Sequence, residues 1–220
     1  MKKIEDNSEN KKYTTLWTIQ TEDAYKKLLK EGRLITNPKF SMLNLEIQYK
    51  IAYDWISDIM RERIERKPLD AVYPIWTWYS YLGKRKKPDL RFNSHQKRGT
   101  KSVLLEISIP NDEILISDFE MWHYPLNLWY IPVNDEDDEE FDKKYSNARL
   151  KLFCDCNMQN SDNSDAFIAL QEMKKSWEKI FIPDYEAQKR IESGEKLELQ
   201  ATIWEIRLEN VVKVQYFIAK

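Results

Sequence analysis

The chain has 220 residues, 42% of them hydrophobic and 13% aromatic, with only 4 glycines and a net charge of −2. That apolar share is enough for a buried core and excludes wholesale disorder. The near-neutral charge speaks against a dedicated duplex-DNA binder, and no run of about 18 apolar residues offers a membrane span.

Residues 1–12 carry nothing to bury and read as a flexible arm, which leaves 13–220 as a single domain. The polar N-terminus lacks the apolar stretch of a secretory signal, so a cytoplasmic location is expected. Cys154 and Cys156 are then reduced thiols, because their C-x-C spacing suits neither a relaxed disulfide nor a zinc site.

Residues 13–20 alternate and are rich in β-branched and aromatic types, so they predict a strand. Thr21 is placed to cap a helix that Gly32 ends. The apolar spacing predicts a second helix over 43–64, closed by Lys67-Pro68. Residues 72–79 have strand composition, with Pro74 at an edge or near the strand start. A basic loop, 84–91, follows. Val103, Leu105, Ile107 and Ile109 mark one face of a strand over 102–109.

Residues 113–116 read as a short strand. Ser117 or Asp118 then caps a short helical segment interrupted by Pro125. The acidic run 134–140 is expected to be a solvated loop. Residues 164–181 predict a helix, and a shorter one starts at Pro183-Asp184 and stops at Gly194. Two strand-like runs, 199–208 and 211–217, are joined by Glu209-Asn210. Strands and helices do not alternate regularly. The expected fold class is therefore α+β, with a mixed, mainly antiparallel sheet flanked by helices.

The common catalytic motifs are missing: no Walker loop, no G-x-G-x-x-G, no H-E-x-x-H and no nucleophile elbow. With two histidines in all, no metal site is expected. Four segments remain. On the first strand, Thr18 and Gln20 share one face and Trp17 and Ile19 the other, and buried polar groups would need partners that a ligand could supply. Trp76, Trp78 and Tyr79 lead into Arg85 and Arg91, a pattern of flat rings beside cations that suits a stacked base near phosphate. Asp118 and Trp122 share a helical face, as do His123 and Asn127, and His123 is a candidate general base. On the late strand, Gln200, Thr202 and Trp204 share a face, while Glu205 points the other way.

Leu16-Trp17-Thr18-Ile19-Gln20, Tyr73-Pro74-Ile75-Trp76-Thr77-Trp78-Tyr79, Gly83 to Arg91, Ser117-Asp118-Phe119 with Trp122-His123-Tyr124, and Gln200 to Ile206 together resemble the bacterial and phage domain-of-unknown-function family numbered 3841. That resemblance spans nearly the whole chain but implies no reaction. A second one does. The opening strand and the helix ending in Gly32-Arg33-Leu34 are similar to the start of the ADP-ribosyltransferase fold of DNA- and RNA-modifying members.

This similarity implies an ADP-ribosyltransferase-like architecture that uses NAD as substrate and modifies a nucleic acid or protein acceptor. Thr18 then stands where that superfamily has a His, Trp76 or Trp78 where it has a stacking Tyr, and Gln200 where a Glu would start the strand. A Gln cannot serve as the catalytic anion. Either Glu205 takes that role through a shifted register, with Asp118 and His123 completing the catalytic set, or the fold is kept without the usual chemistry. Trp17, Thr18, Gln20, Trp76, Trp78, Tyr79, Arg85, Arg91 and Gln200 are expected to bind the nucleotide. NAD hydrolysis without transfer is a variant of this expectation. The alternative is a non-enzymatic module for a peptide or single-stranded nucleic acid.

Overall fold

The computed structural model describes residues 12–36, 47–91, 96–154 and 165–220, with only the backbone course for 146–154. The expected N-terminal arm, the first turn of the helix predicted from residue 43, and the side chains of Cys154 and Cys156 lie outside the described residues.

The first strand, β1 (Tyr13–Thr21), runs directly into α1 (Glu22–Glu31). The Thr21 hydroxyl accepts from the Ala24 amide at 3.1 Å, satisfying one of the free donors of the first turn. Gly32 ends the helix at φ 74° and donates its amide to the Leu28 carbonyl. A short strand, β2 (Arg33–Ile35), follows, then α2 (Ile47–Arg63) and β3 (Ile75–Trp78). The long strand β4 (Lys101–Pro110) leads through a 3₁₀ turn to β5 (Leu115–Asp118) and the one-turn α3 (His123–Leu126). After α4 (Asp135–Cys154), α5 (Asp165–Trp177) and α6 (Asp184–Glu192) come β6 (Leu199–Ile203), β7 (Glu205–Arg207) and β8 (Val211–Ile218).

Six strands form one sheet in the order β5-β6-β3-β1-β4-β8, and β2 and β7 form a second pair. Each named pairing is antiparallel. The protein is thus α+β with an antiparallel six-stranded sheet and flanking helices. Strand β3 is interior, so Pro74 precedes it rather than lying on an edge. Strand β1 is interior as well.

The sheet carries a core on each face. One contains Leu16, Ile75, Val103, Leu105, Ile107, Ala201 and Ile203, covered by Tyr25 and Leu28 of α1 and by Ala187 of α6. Burying Leu28 completely contributes about 2 kcal/mol. The other holds Trp55, Ile56 and Met60 of α2, Met173 and Trp177 of α5, and Trp122 and Trp204.

Three local expectations are corrected. The acidic run opens helix α4 instead of forming a loop. The Asn134 side chain accepts from the Asp137 amide at 2.9 Å, and the carboxylates that follow suit the positive end of the helix dipole. Pro125 lies within α3, where a proline in the first turn loses no bond. Residues 199–208 are not one strand. The chain bends at Trp204 and leaves the main sheet, so that β7 pairs with β2 and β8 pairs with β4. No helix among the described residues is long and apolar enough to cross a membrane.

Candidate functional site

Alternation in β3 buries Ile75 and Thr77 on one face and turns Trp76 and Trp78 to the other. Cross-strand partners share a face, so Trp78 stands with Gln200 of β6, and Gln200 in turn with Ser117 of β5. The start of β6 is tightly placed. The Tyr79 and Ser80 amides both donate to the Leu199 carbonyl, and the Ser80 hydroxyl donates to the Leu197 carbonyl.

Around Gln200 the rings form a wall. Trp78 lies 5.1 Å from Phe119 at a 43° tilt and meets Tyr81 edge-on. Phe119 meets the His123 ring edge-on at 5.4 Å. Trp78 and Phe119 are half-buried, His123 is exposed and Tyr81 is buried. Trp76 belongs to a deeper group. It packs 4.7 Å from Trp122, and Tyr53 meets both rings edge-on. Burial pushes the Tyr53 hydroxyl above its ordinary pKa.

Beneath the outer wall, Gln200 is 6% exposed and Ser117 1%. Neither the Gln200 side-chain nitrogen nor the Ser117 hydroxyl has a hydrogen-bond partner among the described residues. Leaving such groups buried and unpaired costs about 1–3 kcal/mol each. The two stand side by side as cross-strand partners of β6 and β5.

The catalytic candidates do not assemble there as a triad. The Asp118 carboxylate accepts from the Met121 amide at 3.0 Å and so caps the turn before α3. The His123 Nδ1 lies 3.1 Å from the Glu120 carbonyl, so a backbone oxygen and not Asp118 orients the imidazole. Glu205 sits on β7, in the other sheet, with its side chain 4% exposed. Its carboxylate is met by Arg66 at 3.1 Å and by Arg33 and Arg207 at 3.4 Å. Arg207 also grips Glu113 at 3.0 and 3.2 Å. Glu205 is thereby the centre of an ionic knot that ties β7 to β2 and to the loop after α2.

The nucleotide candidates divide between faces. Thr18 and Gln20 lie on the opposite side of the sheet from Trp76, Trp78 and Gln200. Thr18 donates to the Trp76 carbonyl at 3.0 Å and accepts from Gln20 at 2.9 Å, so this polar pair satisfies itself. Trp17 shares the Trp78 face but donates its indole N–H to Glu106. It lines a separate cleft of about 250 Å³ with Lys87, Leu104, Glu106, Lys213 and Gln215.

Arg85 stacks 3.7 Å over the Tyr79 ring and donates to the carbonyls of Tyr79 and Thr15, which makes it a strut rather than a phosphate clamp. Tyr79 is itself fully buried. Arg91 is closed onto both carboxylate oxygens of Asp89. A larger cleft of about 320 Å³ lies between Thr14, Asn111, β5 and the 178–184 segment, and none of the candidates lines it.

The structure thus brings together Trp78, Gln200 and His123, and adds Ser117 and Phe119, which composition alone did not single out. The alternation of β5 carried that signal. It places Ser117 on the face opposite Ile116, beside a Gln on the next strand. No curated protein matches this chain. The family model described as Domain of unknown function (DUF3841) matches residues 15–212, from within β1 to the start of β8; the chain belongs to that family.

Proposed function

We propose that this protein is an ADP-ribosyltransferase-like domain that binds NAD, or a related nicotinamide nucleotide, against the Trp78 wall. The observation that carries the reading is the unpartnered Gln200 amide and Ser117 hydroxyl beside half-buried aromatic rings. A nicotinamide ring stacks on an indole, and its carboxamide offers one acceptor to Gln200 and one donor to Ser117. In this reading Gln200 binds and does not transfer protons. His123, with its Nε2 free of the backbone bond, is the group able to take a proton from a nucleic acid or protein acceptor. Glu205 belongs to the ionic knot and takes no part.

Calorimetry with NAD, ADP-ribose and nicotinamide tests this. Trp78→Ala and Gln200→Ala are each expected to weaken binding about tenfold, about 1.4 kcal/mol. No heat of binding with any of the three, and no NAD consumption in the presence of nucleic acid or lysate, would sink the proposal.

A second reading rests on the Trp17 cleft, where an indole lies among Lys87, Lys213 and Arg85. Ring and cations together suit a single-stranded nucleic acid held without chemistry. Affinity that falls steeply with salt would favour it.

A further inference from the structure

Strand β8 closes one end of the six-stranded sheet, and no described strand pairs with its other side. It is eight residues long and therefore presents a full row of backbone donors and acceptors to the outside. Natural sheets shield such edges with several charges, prolines or bulges facing outward. Here Lys213 is the one charged residue of the strand, and the bulge falls near its first residue, opposite Ile107. Val212, Tyr216 and Ile218 are each more than 60% exposed. Tyr216 and Ile218 share a face with Val214, where Tyr216 meets Tyr25 of α1 edge-on at 6.0 Å, while Val212 is the extra residue of the bulge. One helical turn beyond Tyr25, Leu29 is half-exposed as well. The edge and its apolar face are continuous.

We propose that β8 pairs antiparallel with β8 of a second copy of this chain, about a two-fold axis at Val214. The strand is self-complementary in that register. Val214 of one copy comes opposite Val214 of the other, two β-branched side chains on the apolar face. Lys213 comes opposite Gln215, so no like charges face each other. The ends match too. An acid, Glu209, precedes the strand and a base, Lys220, follows it, and both are exposed. Antiparallel pairing brings each Glu209 close to the other copy's Lys220. Because the two-fold closes on itself, the product is a dimer with one continuous twelve-stranded sheet and not a fibre.

Light scattering of the full 220-residue chain, at concentrations of tens of micromolar, is expected to give twice the 26.6 kDa chain mass. The double variant Val212→Lys, Ile218→Lys changes only exposed side chains and is expected to give the single-chain mass with an unchanged circular-dichroism spectrum. In a background with Cys154→Ser and Cys156→Ser, Val214→Cys is expected to form a disulfide-linked dimer on mild oxidation, whereas Val212→Cys is not. A monomeric wild-type chain overturns the proposal. So does a dimer that survives the lysine pair, or one in which Val214→Cys fails to cross-link.

Discussion

The Arg85 guanidinium covers the ring of Tyr79 at 3.7 Å, while the Tyr79 hydroxyl donates to Asp184 at the start of α6 at 2.9 Å. One side chain from the basic loop and one from the residue just after β3 thereby fasten the loop to the sheet. Arg85→Lys keeps the charge but loses the planar fork that reaches the Tyr79 and Thr15 carbonyls together. It is expected to cost about 1 kcal/mol in urea unfolding, since the arginine is partly in water. Nucleotide affinity should not change.

Burial and the bond to Asp184 push the Tyr79 hydroxyl up to about 12. The folded protein then holds this proton more tightly than the unfolded chain, whose tyrosines ionise near 10. The contribution to stability is complete below about pH 10 and is lost as pH rises toward 12. Denaturation midpoints across that range should fall less steeply for Tyr79→Phe than for the wild type.

Glu205→Gln leaves Arg33, Arg66 and Arg207 around a neutral amide. A loss of about 2 kcal/mol is expected in urea unfolding, because the arginines are partly solvated and keep some hydration. If Glu205 is structural, NAD affinity stays at the wild-type value in this variant. A variant of unaltered stability that loses NAD consumption would instead make Glu205 the acid.

Gly83→Ala tests the turn that links Tyr81 to Lys84. Gly83 has φ +65°, and a methyl group there meets the Lys196 Cα at 2.7 Å and the Glu195 carbonyl at 3.0 Å. Neither backbone atom can yield cheaply, so a cost of about 2 kcal/mol is expected in thermal or urea melts. Gly99→Ala is the control. Its φ is +83°, but it faces open space and should cost about 1 kcal/mol.

The local structure was legible wherever one residue's chemistry decides it. Thr21 and Gly32 announce a helix start and stop, and the spacing of Val103, Leu105, Ile107 and Ile109 announces a strand. The assembly was less legible. Nothing in residues 199–207 says that the chain bends at Trp204 into a different sheet, because the composition is strand-like throughout. The bend is set by β2 and by Arg33 and Arg66, which lie far away in sequence. The faces of β1 were read correctly, with Thr18 and Gln20 on one and Trp17 on the other. Their placement against β3 was not, since alternation within one strand does not say which neighbour's face it will join. Arg85 looked like a phosphate ligand because a cation beside aromatics reads the same whether it grips a ligand or its own chain.

The strand order has a consequence for how the polypeptide acquires its shape while it is being made. Strand β6, from near the end of the chain, is inserted between β5 and β3, both of which emerge from the ribosome long before it. Until residues 199–203 arrive, β3 and β5 each carry an open edge with apolar neighbours, the state in which nascent chains stick to one another. The Trp76 and Trp78 rings wait on that unfinished edge. The sheet therefore cannot be completed until its last strands are made, and truncations that remove β6 should yield aggregates instead of a smaller folded domain.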